Sequence, residues 1–204
     1  DDIKEDGLFT EFTVSAYGEK VRVRLPAIGI HNVYNALAAI AVGRELGIPL
    51  NDCAEALTHY VPSGMRQNIV NKNGITFIED CYNASPDSVK ATLNTLSKID
   101  AKRRIAVLGD MLELGSFSEN AHRMCGEYCA SAGIDMLFTY GERAKDIALS
   151  ARDRGMKNVE SFADGDKLAQ RLVSVLREGD AVSFKASHGM KLENVIKKVY
   201  EMIG

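Results

Sequence analysis

Residues 75–108, ITFIEDCYNASPDSVKATLNTLSKIDAKRRIAVL, decide the fold, because they combine a strand, a helix and a second strand. Ile75–Asp80 predicts the first strand. Pro86–Ile99 predicts the helix, since Pro at the first helical position and an acidic residue, Asp87, in the first turn are both favourable there. Arg104–Leu108 predicts a short apolar strand.

The same alternation continues to the end of the chain. The predicted elements are helix Ser118–Ala132, strand Met136–Tyr140, helix Glu142–Arg152, strand Asn158–Phe162, helix Asp166–Leu176, strand Ala181–Phe184 and helix Met190–Ile203. Upstream, Gln67–Asn71 predicts a strand joined to Ile75–Asp80 by a hairpin-type turn. Strands that alternate with helices form a mainly parallel sheet with helices on both faces, so the predicted fold class is α/β.

The first 64 residues have a different pattern, and a chain of 204 residues has room for one domain and a fraction of another. Leu8–Ser15 and Lys20–Leu25 alternate in hydrophobicity around a short turn, which predicts a β-hairpin. Asn32–Leu46 predicts a largely buried helix, and Asn51–Tyr60 predicts a shorter one. Residues 61–64, VPSG, predict a hinge.

Charge and hydropathy exclude several classes of protein. Twenty-five basic and 28 acidic residues leave a net charge of −3, without the basic face typical of nucleic-acid binders. The longest uncharged stretch, Leu25–Gly43, contains Pro, Gly, His and Asn, which favours a soluble helix over membrane insertion. No signal peptide opens the chain. We therefore expect a cytoplasmic protein and, because the chain begins at Asp1 without Met, a piece of a longer one.

The four cysteines, Cys53, Cys81, Cys125 and Cys129, match no C-x-x-C motif and no common zinc spacing. We expect ordinary semi-buried thiols in a reducing cytoplasm. Cys125 and Cys129 are one helical turn apart, which leaves a metal or redox alternative open.

Candidate functional residues follow from the predicted sheet, because ligands of parallel sheets bind at the carboxyl ends of the strands. This rule selects the loops 80–85, 109–115 and 185–189. The carboxylate of Asp80 can accept two ribose hydroxyls, and Asn83 or Ser85 can cap a helix N-terminus that favours anions. An Asx turn followed by an ordinary N-cap explains the same residues.

Three further positions are also open to two interpretations. Asn32 and Asn35 share a helix face, where two amides can bind the edge of a heterocycle such as adenine; alternatively, Asn32 is an N-cap and Asn35 a tolerated polar residue. Arg66 follows the predicted hinge, where it can bridge domains through a phosphate or be a surface charge. Residues 185–190, KASHGM, can bind an anionic substrate group or begin a capped helix.

Other features carry less functional information. His59 and His122 are expected to be structural or exposed. The chain contains no G-x-x-x-x-G-K-[ST], hence no P-loop of its own. It also has no G-x-G-x-x-G after its first parallel strand, which weakens a nicotinamide dehydrogenase interpretation.

Five sequence words occur in the order of a known family. They are HNVYNALAA from His31, MRQ from Met65, DCYNASPDSV from Asp80, AVLGDMLELG from Ala106, and the helix start with Ser118, Glu119 and His122. Together they resemble the Mur ligase family and cover nearly the whole chain. Asn83, where sister ligases carry His, and the LGDMLELG loop resemble the branch that adds D-Ala-D-Ala. The chain departs from the family at Ala186 and His188, where Gly and Arg are usual.

The resemblance implies a three-domain ligase with a Rossmann-like C-terminal domain. Residues 1–64 would be the tail of the central ATP-binding domain and residues 65–204 the complete C-terminal domain. In the implied reaction, ATP phosphorylates the terminal carboxylate of UDP-N-acetylmuramoyl-tripeptide, and the amine of D-Ala-D-Ala attacks the acyl phosphate. ATP and Mg²⁺ are implied for the full-length enzyme. We expect the 204-residue chain to be inactive, to bind no cofactor tightly and to be a monomer.

The resemblance also implies roles for individual residues. Nucleotide binding is implied for Asn32, Asn35, Arg66 and Asp80. Substrate binding is implied for Tyr82, Asn83, Ser85, Asp110, Glu113, Lys185 and Ser187. No catalytic residue and no metal ligand is assigned. Two alternatives to the ligase remain open: a non-catalytic nucleotide-binding α/β module, and a dehydrogenase-like subunit, which would bind NAD tightly.

Overall fold

A computed structural model describes residues 1–6, 9–16, 18–61 and 66–204. The chain divides into two compact units, Asp1–Ser63 and Gly64–Gly204. Residues 62–65, which include most of the predicted hinge and the Met of the MRQ word, lie outside the described residues. Leu8 and Tyr17 of the predicted hairpin do so as well.

The first unit is a three-stranded antiparallel sheet packed with two helices. Its elements are β1 (Lys4–Asp6), β2 (Phe9–Ala16), β3 (Glu19–Leu25), α1 (Ile30–Glu45) and α2 (Leu50–Thr58). The pairing of β2 with β3 confirms the predicted hairpin. Strand β1 is not predicted, because its three residues are all exposed and have no apolar pattern.

Helix α1 buries only one face. Val33, Ala36 and Ile40 pack into a core with residues of β2 and β3, whereas Tyr34 and Val42 are 66% and 61% exposed. The prediction of a largely buried helix is therefore wrong for this chain. Its continuous apolar sequence conceals the difference between the two faces.

The second unit contains the predicted mainly parallel sheet, which is confirmed. Its strands are β4 (Asn68–Lys72), β5 (Ile75–Asp80), β6 (Arg103–Gly109), β7 (Met136–Tyr140), β8 (Val159–Phe162) and β9 (Asp180–Lys185). They lie in the order β4-β5-β9-β6-β7-β8. Only β4 is antiparallel to its neighbour, through a turn in which Asn73 and Gly74 both have positive φ, as a type I′ hairpin requires.

Helices cover both faces of this sheet, as predicted. They are α3 (Pro86–Lys98), α4 (Ser118–Ser131), α5 (Lys145–Asp153), α6 (Gly165–Val175) and α7 (Leu192–Ile203). Successive residues of a strand point to opposite faces. Accordingly, Ile78 packs in the core formed with α3, α4 and α5, while Phe77 packs in the core formed with α6 and α7.

Two helices begin later than predicted. Helix α5 begins at Lys145 rather than Glu142, because the preceding residues form a loop with Gly141 at φ +116°. Helix α7 begins at Leu192 rather than Met190, because Lys191, with φ +53°, separates it from one turn of 3₁₀ helix at His188–Met190. Both departures lie at the carboxyl edge of the sheet, where loop geometry overrides helix propensity.

Candidate functional site

The carboxyl ends of β5, β9 and β6 lie side by side, because β9 pairs with both of the other strands. In the register, Lys185 is opposite Asp80 on one side and Leu108 on the other. The three loops selected from the sequence therefore start at adjacent points along one edge.

Asp80 and Lys185 form a buried ion pair at this edge. The Lys185 ammonium donates to Asp80 Oδ2 at 2.7 Å, and the Thr92 hydroxyl donates to the same oxygen at 2.7 Å. The two residues are 7% and 3% exposed. Because each charge is neutralised by the other in a dry environment, removing one partner would leave an uncompensated charge. The Lys185 ammonium is thus engaged within the protein.

The loop after β5 carries the next three predicted site residues. Tyr82 is half-exposed and Asn83 is exposed, with Asn83 Oδ1 accepting from the Ala84 N–H at 2.8 Å. Ser85 is the N-cap of α3, and its exchange of hydrogen bonds with Ser88 forms a capping box. The sequence offers Asn83 or Ser85 as the helix cap, and the structure shows Ser85 in that position.

Asp110 and Ser187 join neighbouring loops. Asp110 Oδ1 accepts from the Ala144 N–H at 2.7 Å, and the Asp110 carbonyl accepts from the Ser187 N–H at 3.1 Å. Ser187 Oγ accepts from the Leu112 N–H at 2.9 Å. Both residues are buried. Glu113, in the same loop as Asp110, is exposed and has φ +65°.

His122 binds the backbone of the 109–115 loop from helix α4. Its Nε2 accepts from the Met111 N–H at 3.0 Å, and its Nδ1 lies 2.7 Å from the Ser118 carbonyl oxygen. A backbone N–H only donates and a carbonyl only accepts, so the ring is the neutral tautomer with its proton on Nδ1. The spacing to Cys125 and Cys129 places His122 on the buried face of α4, a signal of burial available in the sequence.

Three exposed side chains lie together at the outer surface of the edge. The guanidinium carbon of Arg66 is 3.9 Å from the centre of the Tyr82 ring, and the His188 ring is 6.1 Å from it. Arg66 and His188 are exposed. These side chains are accessible to an anionic ligand.

The residues at this edge therefore form two groups. Six buried residues each have a side-chain polar atom that is hydrogen-bonded within the protein. We call them the buried layer: Asp80, Thr92, Asp110, His122, Lys185 and Ser187. We call Arg66, Tyr82, Asn83, Glu113 and His188, which are exposed, the exposed rim. The buried layer fixes the three loops, and the exposed rim presents polar groups to solvent.

Asn32 and Asn35 belong to the first unit. Asn35 Nδ2 lies 3.5 Å from Asn32 Oδ1, and Asn32 Nδ2 donates to the Ile28 carbonyl at 2.9 Å. The predicted alternative that Asn32 is the N-cap of α1 is wrong, since that position is Gly29. The two amides do share one face of the helix, as their spacing predicts.

The four cysteines are free thiols, and they are buried in the three cores rather than semi-buried as predicted. Burial raises the pKa of Cys125 to about 12, and burial likewise raises the pKa of Cys81 and Cys129. Among the described residues, no three His, Cys, Asp or Glu side chains are grouped so that they can hold a metal ion. In the same ranges, no helix is long and apolar enough to cross a membrane.

Ala186 and His188, the departures from the family pattern, lie in different environments. Ala186 is fully buried against Gly109, where a Cβ would come within 2.6 Å of the Ala186 Cβ. The left-handed residue of this segment is Lys191 rather than Ala186, so the alanine is not strained by a positive φ. His188 belongs to the exposed rim.

Comparisons with known proteins agree on one family. The family model described as "Mur ligase, glutamate ligase domain" matches residues 65–188. The UDP-N-acetylmuramoyl-tripeptide–D-alanyl-D-alanine ligase of Bacillus subtilis is 37% identical over 203 residues, which are 98% of this chain and 44% of that protein. The ligase of the same name from Escherichia coli is 32% identical and aligns with 94% of this chain and 42% of its own length.

Solved structures show the same relationship. A MurF crystal structure from Acinetobacter baumannii matches with a TM-score of 0.91 at 26% identity, covering 98% of this chain and 44% of that one. The MurF ligase of Thermotoga maritima in complex with ADP matches with a TM-score of 0.83 at 25% identity, covering 100% and 46%. This chain thus spans less than half the length of these relatives. It belongs to the Mur ligase family.

Proposed function

We propose that these 204 residues are the C-terminal part of an ATP-dependent ligase that adds D-Ala-D-Ala to UDP-N-acetylmuramoyl-tripeptide during synthesis of peptidoglycan precursors. Residues 1–64 are the tail of its central ATP-binding domain, and residues 65–204 are its C-terminal domain. The enzyme is cytoplasmic and monomeric. The observation that carries this proposal is the 37% identity over 98% of the chain to a ligase of that name.

The reaction needs positioned charge more than a protein nucleophile. The terminal carboxylate of the tripeptide attacks the γ-phosphorus of ATP and releases ADP. The amine of D-Ala-D-Ala then attacks the acyl phosphate, and phosphate leaves as the new amide loses its proton. Each step depends on holding anionic groups close together, which cationic and amide donors do by electrostatic stabilisation and orientation.

Within this reaction, the exposed rim makes the direct contacts of the second unit. Arg66 binds a phosphate or the ribose of the nucleotide, because a guanidinium has several donors that match phosphate geometry. Asn83 and Glu113 contact the incoming dipeptide and acceptor. In the first unit, Asn32 and Asn35 bind the adenine edge.

The buried layer supports these contacts indirectly. The predicted binding roles of Asp80, Asp110, Lys185 and Ser187 become roles in fixing loop geometry, because most of their polar atoms already have partners in the protein. Ser85 acts in the same way as a helix cap. No residue of this chain is assigned to the Mg²⁺ of the proposed ligase.

A chimeric enzyme tests the proposal. In it, this chain replaces the aligned part of the Bacillus subtilis ligase, and phosphate release is measured with UDP-N-acetylmuramoyl-tripeptide, MgATP and D-Ala-D-Ala. We expect release that requires all three substrates. A folded chimera with no release dependent on D-Ala-D-Ala would favour a non-catalytic nucleotide-binding module. The coding sequence offers a second test, because the proposal requires an upstream G-x-x-x-x-G-K-[ST] in the same reading frame.

The isolated chain offers a complementary test by calorimetry. Residues 1–204 contain no P-loop motif, and that loop supplies the amides and lysine that bind the β- and γ-phosphates. We therefore expect a Kd for MgATP no tighter than about 1 mM, equivalent to about −4 kcal/mol. A micromolar Kd, or phosphate release above the blank, would contradict the proposal that the phosphate-binding loop lies in another part of the ligase.

A further inference from the structure

The guanidinium of Arg66 lies over the ring of Tyr82, although both residues are exposed. A surface arginine normally extends into water, but here its guanidinium carbon lies 3.9 Å from the ring centre. This distance is well within the range of a cation–π interaction. In the described part of the chain, no hydrogen bond or ion pair of the Arg66 side chain accompanies it. The ring is therefore what holds the guanidinium at this edge.

The backbone position of Tyr82 is fixed, because the residues on both sides of it are hydrogen-bonded. The preceding residue, Cys81, is buried and its thiol donates to the Phe184 carbonyl. Before it, Asp80 is held by Lys185 and Thr92. After it, Asn83 closes a local bond to the Ala84 N–H. Arg66, whose longer side chain has more rotatable bonds, is thus the partner that the contact immobilises.

We propose that Tyr82 is a positioning residue that holds Arg66 ready for a phosphate group of the nucleotide. This inference rests on the proposed function. Stacking occupies the face of the guanidinium and leaves its in-plane N–H donors available to a phosphate. Without the ring, the long side chain would lose rotamer freedom on binding, which weakens the interaction. Tyr82 accordingly acts through Arg66 and not through its own hydroxyl.

The contact itself is tested in the 204-residue chain by NMR. Protons above an aromatic ring are shifted upfield, so the Arg66 Nε–H resonance, assigned with Arg66→Lys, should move downfield in Tyr82→Leu. It should stay in place in Tyr82→Phe, which keeps the ring. An unchanged resonance in Tyr82→Leu would overturn the proposal without any bearing on the ligase reaction.

The consequence is tested in the chimeric ligase. We expect Tyr82→Leu to raise KM for MgATP about twofold to fivefold while kcat is nearly unchanged, as loss of a cation–π contact predicts. Tyr82→Phe should restore the wild-type KM. The matched control is Tyr60→Leu, at a tyrosine of the first unit that is 41% exposed and has no assigned role, and it should leave KM unchanged.

The other outcomes are equally decisive. If the Arg66 resonance moves but KM for MgATP does not, the contact exists without positioning Arg66 for the nucleotide, and the proposal is wrong. If KM rises for D-Ala-D-Ala instead, Arg66 is held for the dipeptide carboxylate, which also overturns it. An inactive wild-type chimera would count against the proposed function, while the NMR result would still decide whether Tyr82 holds Arg66.

Discussion

The loops at this edge carry residues of both the buried layer and the exposed rim, yet the polar atoms of the two groups differ in their environment. Those of the buried layer are bonded within the protein, and those of the exposed rim face solvent. Asp80 is engaged by Lys185 and Thr92, whereas Tyr82, two residues later, offers its ring to Arg66 at the surface. Lys185 is buried, whereas His188, three residues later, is exposed. A polar motif at the end of a strand therefore contains two kinds of residue. Some hold the loop in place, and others are exposed to a ligand.

This difference separates two kinds of mutational effect. Substitutions in the buried layer leave unpaired groups inside the protein and should lower the free energy of unfolding. Substitutions in the exposed rim remove groups that interact with solvent or ligand, so stability should change little. The four substitutions below are ordered by their expected effect on the free energy of unfolding.

The largest effect is expected for Lys185→Met, which leaves the Asp80 carboxylate buried without its counter-ion. We expect the free energy of unfolding to fall by about 3–5 kcal/mol, measured by urea denaturation. Lys198→Met is the matched control, since its ion pair with Asp166 is exposed, and it should change stability little.

A double variant sharpens this result. Lys185→Met combined with Asp80→Leu removes both charges, and Thr92 retains its bond to the Ser88 carbonyl. The double variant should be more stable than Lys185→Met alone. If the two are equally unstable, loss of packing and not an unpaired charge explains the effect.

Gly141→Ala should lower the free energy of unfolding by at least about 2 kcal/mol. We expect this loss to be smaller than that of Lys185→Met. Gly141 has φ +116°, and an added Cβ would lie 2.3 Å from Asp110 Oδ1, which disrupts the bond from Ala144. Gly155→Ala is the control: its φ is +92°, with no atom near the added Cβ, so only the backbone cost of about 1–2 kcal/mol applies. Thermal or urea unfolding of both variants separates the backbone cost from the cost of the clash with Asp110. Equal losses would mean that Asp110 adapts to the extra atom.

His122→Phe keeps an aromatic ring in place but removes the acceptor for the Met111 N–H. Leaving that buried donor unpaired should cost about 1–3 kcal/mol, measured by urea denaturation. His59→Phe, at an exposed histidine, serves as the comparison and should change stability by less than about 0.5 kcal/mol. If His122→Phe is as stable as the wild type, the bond from the Met111 N–H to His122 does not stabilise the fold.

The smallest effect on stability is expected for Arg66→Ala, below about 0.5 kcal/mol. In the chimeric ligase, however, the same change should weaken use of MgATP by the value of a charge-assisted hydrogen bond, about 1.5–3 kcal/mol, measured as KM and kcat/KM. A lowered melting temperature with unchanged kinetics would make Arg66 a structural residue.

The sequence predicts the fold well, because the decisive signals are local. The apolar strands, Pro86 at the start of α3 and the turn around Asn73 each depend on neighbouring residues, and all three are observed. The position of β9 between β5 and β6 depends on pairing over a long sequence separation, and no local pattern encodes it. The two faces of α1 differ through packing against β2 and β3, which an apolar sequence does not reveal.

The same limit applies to the site. The sequence selects Asp80 and Lys185 as candidate binding residues, but they are 105 positions apart, and their mutual ion pair appears only when β5 and β9 are adjacent. The sequence does offer the capping role of Ser85 as one alternative, because the cap involves residues only three apart. The sequence leaves His122 as structural or exposed, and the structure selects the structural alternative. Its partner, the Met111 backbone N–H, is not predicted because it belongs to no side-chain motif.

Native-state hydrogen exchange of the 204-residue chain tests most directly whether the buried layer, and not the exposed rim, fixes the loops at the carboxyl edge of the sheet. Four amides have acceptors in the buried layer: Met111, Leu112, Ala144 and Ser187. We predict that these four exchange as slowly as amides of the central strands, whereas those of Asn83 and Glu113 in the exposed rim exchange rapidly. If the four amides exchange as fast as that of Glu113, the buried layer does not hold the loops, and the account is contradicted.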